Sequence, residues 1–363
     1  VSESRLARRL AARLEGVAPY RPGRAAAGGP ASGKLSSNES PFPPSPSVQA
    51  AMAAAAGSVH RYPDQRRAHE ALARHLGVEP DRLVLTDGSD ELCHLVASLV
   101  LGPGTAAVLG DPCYSIDASV SLVAGAELRR VPLVKGDHDL AAMAVAAAGA
   151  SVVWLPTPHN PTGVAVDRAA LDPFLDAVPP DCLVVLDEAY RAFAEPDRLP
   201  DALGLLERHD NLLVQRTFSK DAALAGLRLG YAIASPVLAE ALSRIRAPFS
   251  VNSVGLAALE AWLADPSWHE MTLARVREER ARLEAHLDRL GIERYPSSAN
   301  FVTARIDHAR LAAPLAAAGL AVRAGEDLGL PGWVRISVGW APAMARLRAV
   351  LSEVAAPPGR TST

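Results

Sequence analysis

The stretch Asn211-Leu212-Leu213-Val214-Gln215-Arg216-Thr217-Phe218-Ser219-Lys220 carries two signals at once, a short apolar strand and, at its end, a lysine. Of the 37 basic residues in this 363-residue chain only three are lysine, the rest being arginine. A guanidinium stays protonated and is a poor nucleophile, whereas an amine loses its proton when desolvated and condenses with a carbonyl. Lys220 is therefore the first candidate for covalent chemistry. Lys34, before Leu35-Ser36-Ser37-Asn38, and Lys135, in Val134-Lys135-Gly136-Asp137, stand in polar, turn-rich surroundings and read as solvated.

Outward from Lys220 the pairing of a short apolar run with a helical stretch repeats. Arg82–Leu85 precedes a helix over Ser89–Val100, and Ala106–Leu109 precedes one over Ser115–Ala124. Ser151–Leu155, Leu183–Leu186 and Leu212–Val214 are further strands, and the Ala-rich Ala141–Ala150 reads as helix. Strands apolar on both faces, separated by helices, indicate a mostly parallel sheet covered on both sides. Such sheets bind ligands beyond the carboxyl ends of their strands. Trp268–Leu290 has Leu273, Val276, Leu283 and Leu287 at helical spacing and reads as one long amphipathic helix. Strand-like Asn300–Arg305, Leu320–Arg323 and Trp333–Val338 follow it.

The length makes two domains the expectation. Residues 1–47 form an N-terminal helix and a Gly/Pro/Ser-rich extended arm that packs with the small domain or a partner. A large domain follows over 48–260, then a small C-terminal α+β domain over 261–363. In the N-terminal segment Leu6, Leu10 and Leu14 form the packing stripe of a surface helix; Glu3 and Glu15 speak against a transit peptide.

A net charge of -3 gives no reason to expect nucleic acid or an anionic membrane as partner. No apolar run approaches the roughly 20 residues of a membrane span. Cys93, Cys113 and Cys182 are odd in number and lack paired spacing, which fits a reducing, cytoplasmic compartment rather than a disulfide framework. The ten histidines form no metal-ligand pair, so no metal is assigned.

The residues that follow the strands share one chemical theme. After Leu155 comes Pro156-Thr157-Pro158-His159-Asn160-Pro161-Thr162-Gly163; after Leu186 come Asp187-Glu188-Ala189-Tyr190; after the third strand come Ser219 and Lys220, then Arg228. Taken singly, each has a plain structural reading: an Asn-Pro turn, helix caps, a half-buried tyrosine, a surface cation. Together they line up an amide, a carboxylate, a phenol, a hydroxyl, an amine and a guanidinium along one sheet edge.

This set resembles the aspartate-aminotransferase-like, fold type I enzymes of aminotransferase class I/II, over nearly the whole chain. The resemblance implies an α/β fold with a large, mostly parallel sheet domain and a smaller α+β domain, pyridoxal 5'-phosphate (PLP) as cofactor, and a transaminase. It makes Lys220 the covalent attachment point of the cofactor aldehyde, Asp187 the partner of the ring nitrogen, and Tyr190 and Asn160 the hydrogen-bond partners of the ring oxygen. A carboxylate at the ring nitrogen keeps it protonated, so the ring accepts the electrons left when the α proton departs. The freed Lys220 amine then carries that proton.

For the cofactor phosphate, Gly88, Ser89 and Asp90 in Thr86-Asp87-Gly88-Ser89-Asp90-Glu91 open a helix whose free N–H groups attract an anion, and Ser219 and Arg228 complete the cradle. By the same resemblance Tyr114, in Asp111-Pro112-Cys113-Tyr114, lies over the ring. Tyr62, in Arg61-Tyr62-Pro63-Asp64, reaches the neighbouring subunit's site, which implies a homodimer with shared active sites.

Within the family, Pro19-Tyr20-Arg21-Pro22-Gly23, Leu35-Ser36-Ser37-Asn38-Glu39-Ser40-Pro41 and Ala225-Gly226-Leu227-Arg228-Leu229-Gly230-Tyr231 resemble histidinol-phosphate aminotransferases and their aromatic relatives. Tyr20, Asn38, Arg323 and Arg335 are then the substrate-binding set, with Arg335 clamping the anionic end. The implied reaction takes histidinol phosphate and 2-oxoglutarate to imidazole acetol phosphate and glutamate, in histidine biosynthesis. An aromatic or specialised amino acid is the alternative donor, and decarboxylase or lyase chemistry uses the same ring and lysine. A non-enzymatic regulator module would need an attached DNA-binding domain, for which the first 47 residues are too short. Two positions depart from the subgroup: Asp117 stands where an aromatic residue is usual, opposing a phosphate-bearing substrate if it faces the pocket, and Asp221 follows Lys220, where it would alter the amine's basicity.

Overall fold

The computed structural model describes residues 4–20, 22–23 and 33–355. Its strands are β1 (Lys34–Leu35), β2 (Leu83–Thr86), β3 (Ala106–Asp111), β4 (Glu127–Pro132), β5 (Val152–Pro156), β6 (Leu183–Asp187), β7 (Leu212–Thr217), β8 (Gly230–Ala234), β9 (Phe301–Ala304), β10 (Ala321–Ala324) and β11 (Val334–Ser337). They form a seven-stranded sheet in the order β2-β8-β7-β6-β5-β3-β4 and a four-stranded one in the order β1-β10-β11-β9.

In the large sheet only β8 runs against the others, pairing antiparallel with β2 and β7. Alternate residues leave a strand on opposite faces. Val153, Leu155, Val184, Leu186, Leu212 and Val214 accordingly enter one buried cluster, and Val152, Trp154, Leu183, Val185 and Leu213 the other. Helices cover both faces, which is why these strands are apolar throughout. The small sheet has its own core, where Leu35, Val302, Val322, Val334 and Ile336 meet Leu283 and Leu287 of the long helix Pro266–Arg289. That helix joins the two sheets: Arg280 Nη1 donates to the carbonyls of Phe193 and Ala299 at 3.0 and 2.8 Å.

The N-terminal helix forms over Arg5–Arg13 behind a Ser4 cap, with Leu6, Leu10 and Leu14 64%, 52% and 50% exposed. In the arm, β1 pairs in parallel with β10 of the small sheet, and a helix starts at Pro46. Lys34 is not free in solvent; its Nζ lies 2.8 Å from Glu39 Oε1, at the rim of the main cavity. No helix among the described residues is long and apolar enough to cross a membrane.

Candidate active site

Because β2, β3, β5, β6 and β7 run the same way, the segments following them meet at one edge of the large sheet, facing the small one. A cavity of about 970 Å³ opens there, and Lys220, Asp187, Tyr190, Asn160, Arg228 and Arg335 line it. Ser89, Asp90, Tyr114, Ser219, Tyr20, Asn38 and Arg323 share the same wall.

Asp187 ends β6, and its Oδ1 accepts the Ala189 N–H at 2.9 Å. Depth within the chain pushes its carboxyl up to about 6, against the smaller opposing effects of that bond and of the Lys220 charge. Lys220 Nζ stands 5.8 Å from the centre of the Tyr190 ring. The Tyr190 hydroxyl accepts from Asn38 Nδ2 at 3.1 Å. Asn38 is itself pinned at a left-handed φ of 53° by Ser337 and Asn300, a conformation Asn tolerates better than most residues. Asn160 hangs on a loop fixed by two buried histidines. His138 Nε2 bonds the Pro156 carbonyl at 3.0 Å, His159 Nδ1 bonds Thr162 Oγ1 at 3.0 Å, and burial holds both rings neutral, His138 falling to about 4.

At the other end of the cavity Arg228, at φ 52°, sends Nη1 to Ser219 Oγ at 3.4 Å and Nη2 to Asp90 Oδ2 at 3.3 Å. Asp90 Oδ1 also accepts the Tyr114 hydroxyl at 3.2 Å. The helix Gly88–Val100 begins here without a side-chain cap, so its first N–H groups face the cluster. Gly88 does not line the cavity, but it is required: at φ 76° a Cβ would collide with the Arg228 guanidinium. A Cβ on Gly230 would meet the Gly88 carbonyl carbon at 2.6 Å.

Across the cavity Arg335 and Arg323 are Cα partners in the β10–β11 register and both are buried. Arg335 Nη1 donates to Asn160 Oδ1 at 2.6 Å and Nη2 to the Ser36 carbonyl at 3.0 Å. Among the described residues the Nε atoms of both arginines have no hydrogen-bond partner; the nearest carboxylate to Arg323 Nε is Asp327 Oδ2 at 3.6 Å. Two neighbouring buried guanidiniums with spare N–H groups suit an anion.

The chemistry of this wall fits PLP: an anion cradle at Gly88–Asp90, Ser219 and Arg228, a carboxylate at Asp187, an amine at Lys220, a phenol and an amide at Tyr190 and Asn160. Tyr62 is elsewhere, 80% exposed and stacked on Phe249 with ring centres 4.4 Å apart. Asp117 does not face the pocket; it is buried outside the cavity wall, where Cys93 Sγ lies 3.7 Å from Oδ1. Asp221 Oδ2 is hydrogen-bonded to His269 Nε2 at 2.9 Å. Glu188 is a structural ion pair, enclosed between Arg216 and Arg191. Asp327 and Glu326, on the short turn Gly325–Leu328 directly after β10, also line the cavity; they stand just past a strand end of the small sheet, a position the sequence reading did not search.

The family description "Aminotransferase class I and II" matches residues 33–351. A histidinol-phosphate aminotransferase of Geobacillus thermodenitrificans is 38% identical over 337 residues, covering 90% of this chain and 92% of its own length. One from Cupriavidus pinatubonensis is 40% identical, with 84% of each covered. Among solved structures, the histidinol-phosphate aminotransferase of Sinorhizobium meliloti in complex with pyridoxal-5'-phosphate superposes with a TM-score of 0.83 at 32% identity, covering 89% of this chain and 90% of that one. A sheet edge carrying these groups, on a chain this similar over this length, leads to one conclusion: the chain belongs to the class I and II aminotransferase family.

Proposed function

We propose that this protein is a PLP-dependent aminotransferase that takes its amino group from histidinol phosphate and passes it to 2-oxoglutarate. Bound PLP supplies an electron sink for the pair released when the substrate Cα–H bond breaks. Asp187 holds the proton on the ring nitrogen. Lys220 Nζ anchors the cofactor aldehyde and, once displaced by the donor amine, moves the proton from the substrate Cα. Tyr190 and Asn160 orient the ring through its oxygen; Ser219, Arg228 and the first turn at Gly88–Asp90 hold the phosphate, while Tyr114 covers the ring face. The active unit is a homodimer in which Tyr62 serves the opposite site, consistent with its exposure and with its not lining its own chain's cavity.

The observation that carries the donor assignment is the Arg323–Arg335 pair, two buried, adjacent cations with unused donors beside Tyr20 and Asn38. A dianionic phosphate offers the pair two charges and three oxygens; a carboxylate offers one charge and two oxygens. The test compares kcat/KM for histidinol phosphate, histidinol and phenylalanine. Histidinol phosphate should lead by a factor on the order of 100 or more, because charge-assisted bonds to buried groups discriminate strongly. Equal values, or no turnover of histidinol phosphate, refute the assignment. Asp327, 3.6 Å from Arg323, favours a second reading in which one cation is already neutralised and an aromatic amino acid binds by its carboxylate at Arg335. Phenylalanine leading in the same assay would establish it.

A further inference from the structure

Asp187 has a second layer of polar residues around it that the reaction as derived does not use. Asp187 and Gln215 are Cα partners in the parallel register of β6 and β7, so their side chains leave the sheet on the same face. The Gln215 amide is near enough to Asp187 to favour its ionised form. Gln215, Cys93 in the helix Gly88–Val100 and Asp117 in the first turn of the helix Ser115–Ala124 are all buried, and none lines the cavity. Cys93 Sγ lies 3.6 Å from Gln215 Oε1 and 3.7 Å from Asp117 Oδ1.

The thiol has one hydrogen and two oxygens to give it to. With Asp117 ionised, that hydrogen goes to the carboxylate and Gln215 Oε1 is left without a donor. With Asp117 protonated, its O–H points to Sγ, the thiol hydrogen turns to Gln215 Oε1, and the amide N–H faces Asp187. Among the described residues no cation pairs with Asp117, and the charged groups that act on it are Asp187 and Asp90. Burial, reinforced by Asp187, drives its carboxyl well above the ordinary range. The protonated arrangement is therefore the resting one. The groups that act on Asp187 itself are Asp90, Lys220 and this chain.

We propose that Asp117, Cys93 and Gln215 are positioning residues for Asp187: an acid, a thiol and an amide, hydrogen-bonded in one direction, that present an N–H to the Asp187 carboxylate. The proposal rests on the reading of Asp187 as the ring-nitrogen partner. None of the three touches cofactor or substrate. Their effect is on the orientation of a carboxylate that would otherwise rest on the Ala189 N–H alone.

The test uses Gln215→Met, which keeps length without the N–H, Asp117→Leu, and Asp117→Asn, whose amide N–H replaces the acid O–H toward Sγ. Two midpoints are measured: that of visible absorbance against pH in the PLP-loaded enzyme, and that of urea stability against pH in the cofactor-free protein. Gln215→Met should raise the cofactor-free midpoint by about half a pH unit or more and displace the loaded one, because a bond to the ionised form is lost. Asp117→Leu leaves the thiol hydrogen with Gln215 Oε1 as its acceptor and removes only the O–H that polarises the thiol, so it should move both the same way but by less, and Asp117→Asn should move neither. Unchanged midpoints in Gln215→Met, or Asp117→Asn shifting as far as Asp117→Leu, overturn the proposal; if Asp117→Leu does not fold, Gln215→Met decides. Asp187→Asn is the control. If that variant keeps its loaded spectrum and turnover, the ring-nitrogen reading fails, while the cofactor-free midpoint still reports whether Gln215 positions Asp187.

Discussion

Asp187→Asn in the cofactor-free protein separates the cost of burying this carboxylate from its use. Burial raises the group from 3.8 to about 6. Below pH about 4 the carboxyl is protonated in folded and unfolded chains alike and leaves stability untouched. Between about 4 and 6 the unfolded chain gives up the proton while the folded chain keeps it, so rising pH favours unfolding; above about 6 the penalty is complete and constant. At about 1.4 kcal/mol per pH unit the interval comes to roughly 3 kcal/mol, an upper figure because one side of the carboxyl faces the cavity water. Asn has no such titration. The wild-type and variant stability curves, measured by urea denaturation at closely spaced pH values, should therefore separate by roughly 2–3 kcal/mol between pH 4 and 6, the variant gaining. His138 and His159 titrate in both proteins and cancel, so the difference curve reports Asp187 together with the part of the Asp117 shift that the Asp187 charge causes. Curves that run parallel from pH 4 to about 8 would refute the reasoning. Saturating PLP should reverse the order, because a protonated ring nitrogen offsets the cost for the carboxylate and not for the amide, and turnover of the variant should fall by orders of magnitude.

His138 must stay neutral when folded, its value lying near 4 instead of 6.5, so stability is lost as pH falls through that window. His138→Gln should flatten the acid limb of a urea titration by up to roughly 3 kcal/mol. Gly88→Ala should cost about 1–3 kcal/mol of stability and weaken PLP binding at least about tenfold in an absorbance titration. Gly77→Ala, equally left-handed but with open space around it, should cost stability alone, and equal losses of affinity would remove Gly88 from the cradle. Mixing inactive Lys220→Ala and Tyr62→Ala chains should recover part of the activity in heterodimers, which possess one site with both residues intact. No recovery, with heterodimers shown to form, would confine Tyr62 to its own subunit.

The strands that carry the site were legible because both of their faces are buried, which forces runs such as Leu183–Leu186 and Leu212–Val214 to be apolar throughout. β4 was not, since as an edge strand it carries Glu127, Arg129 and Arg130 and presents no apolar signal. β8, a five-residue antiparallel strand opening on Gly230, was visible only as part of a motif. Lys220, Asp187 and Asn160 announced themselves by standing at or just past strand ends, and Arg228 by the motif that runs from Ala225 into β8. Gln215 and Cys93 gave no such signal, because a mid-strand amide and a helical thiol acquire meaning only when the β6–β7 register and the packing of a helix bring them together. The stripe Leu6, Leu10, Leu14 was read correctly as one face of a helix, but periodicity does not say which surface covers it.

The hydrogen bond from Arg335 Nη1 to Asn160 Oδ1 spans the gap between the two sheets. With Nη1 committed there and Nη2 committed to the Ser36 carbonyl, the Arg335 guanidinium is braced from both ends before anything binds. Its plane is set by the loop that carries Asn160 on one side and by the arm on the other, so a change at Asn160 would be felt as a loosened arginine on the opposite wall of the cavity.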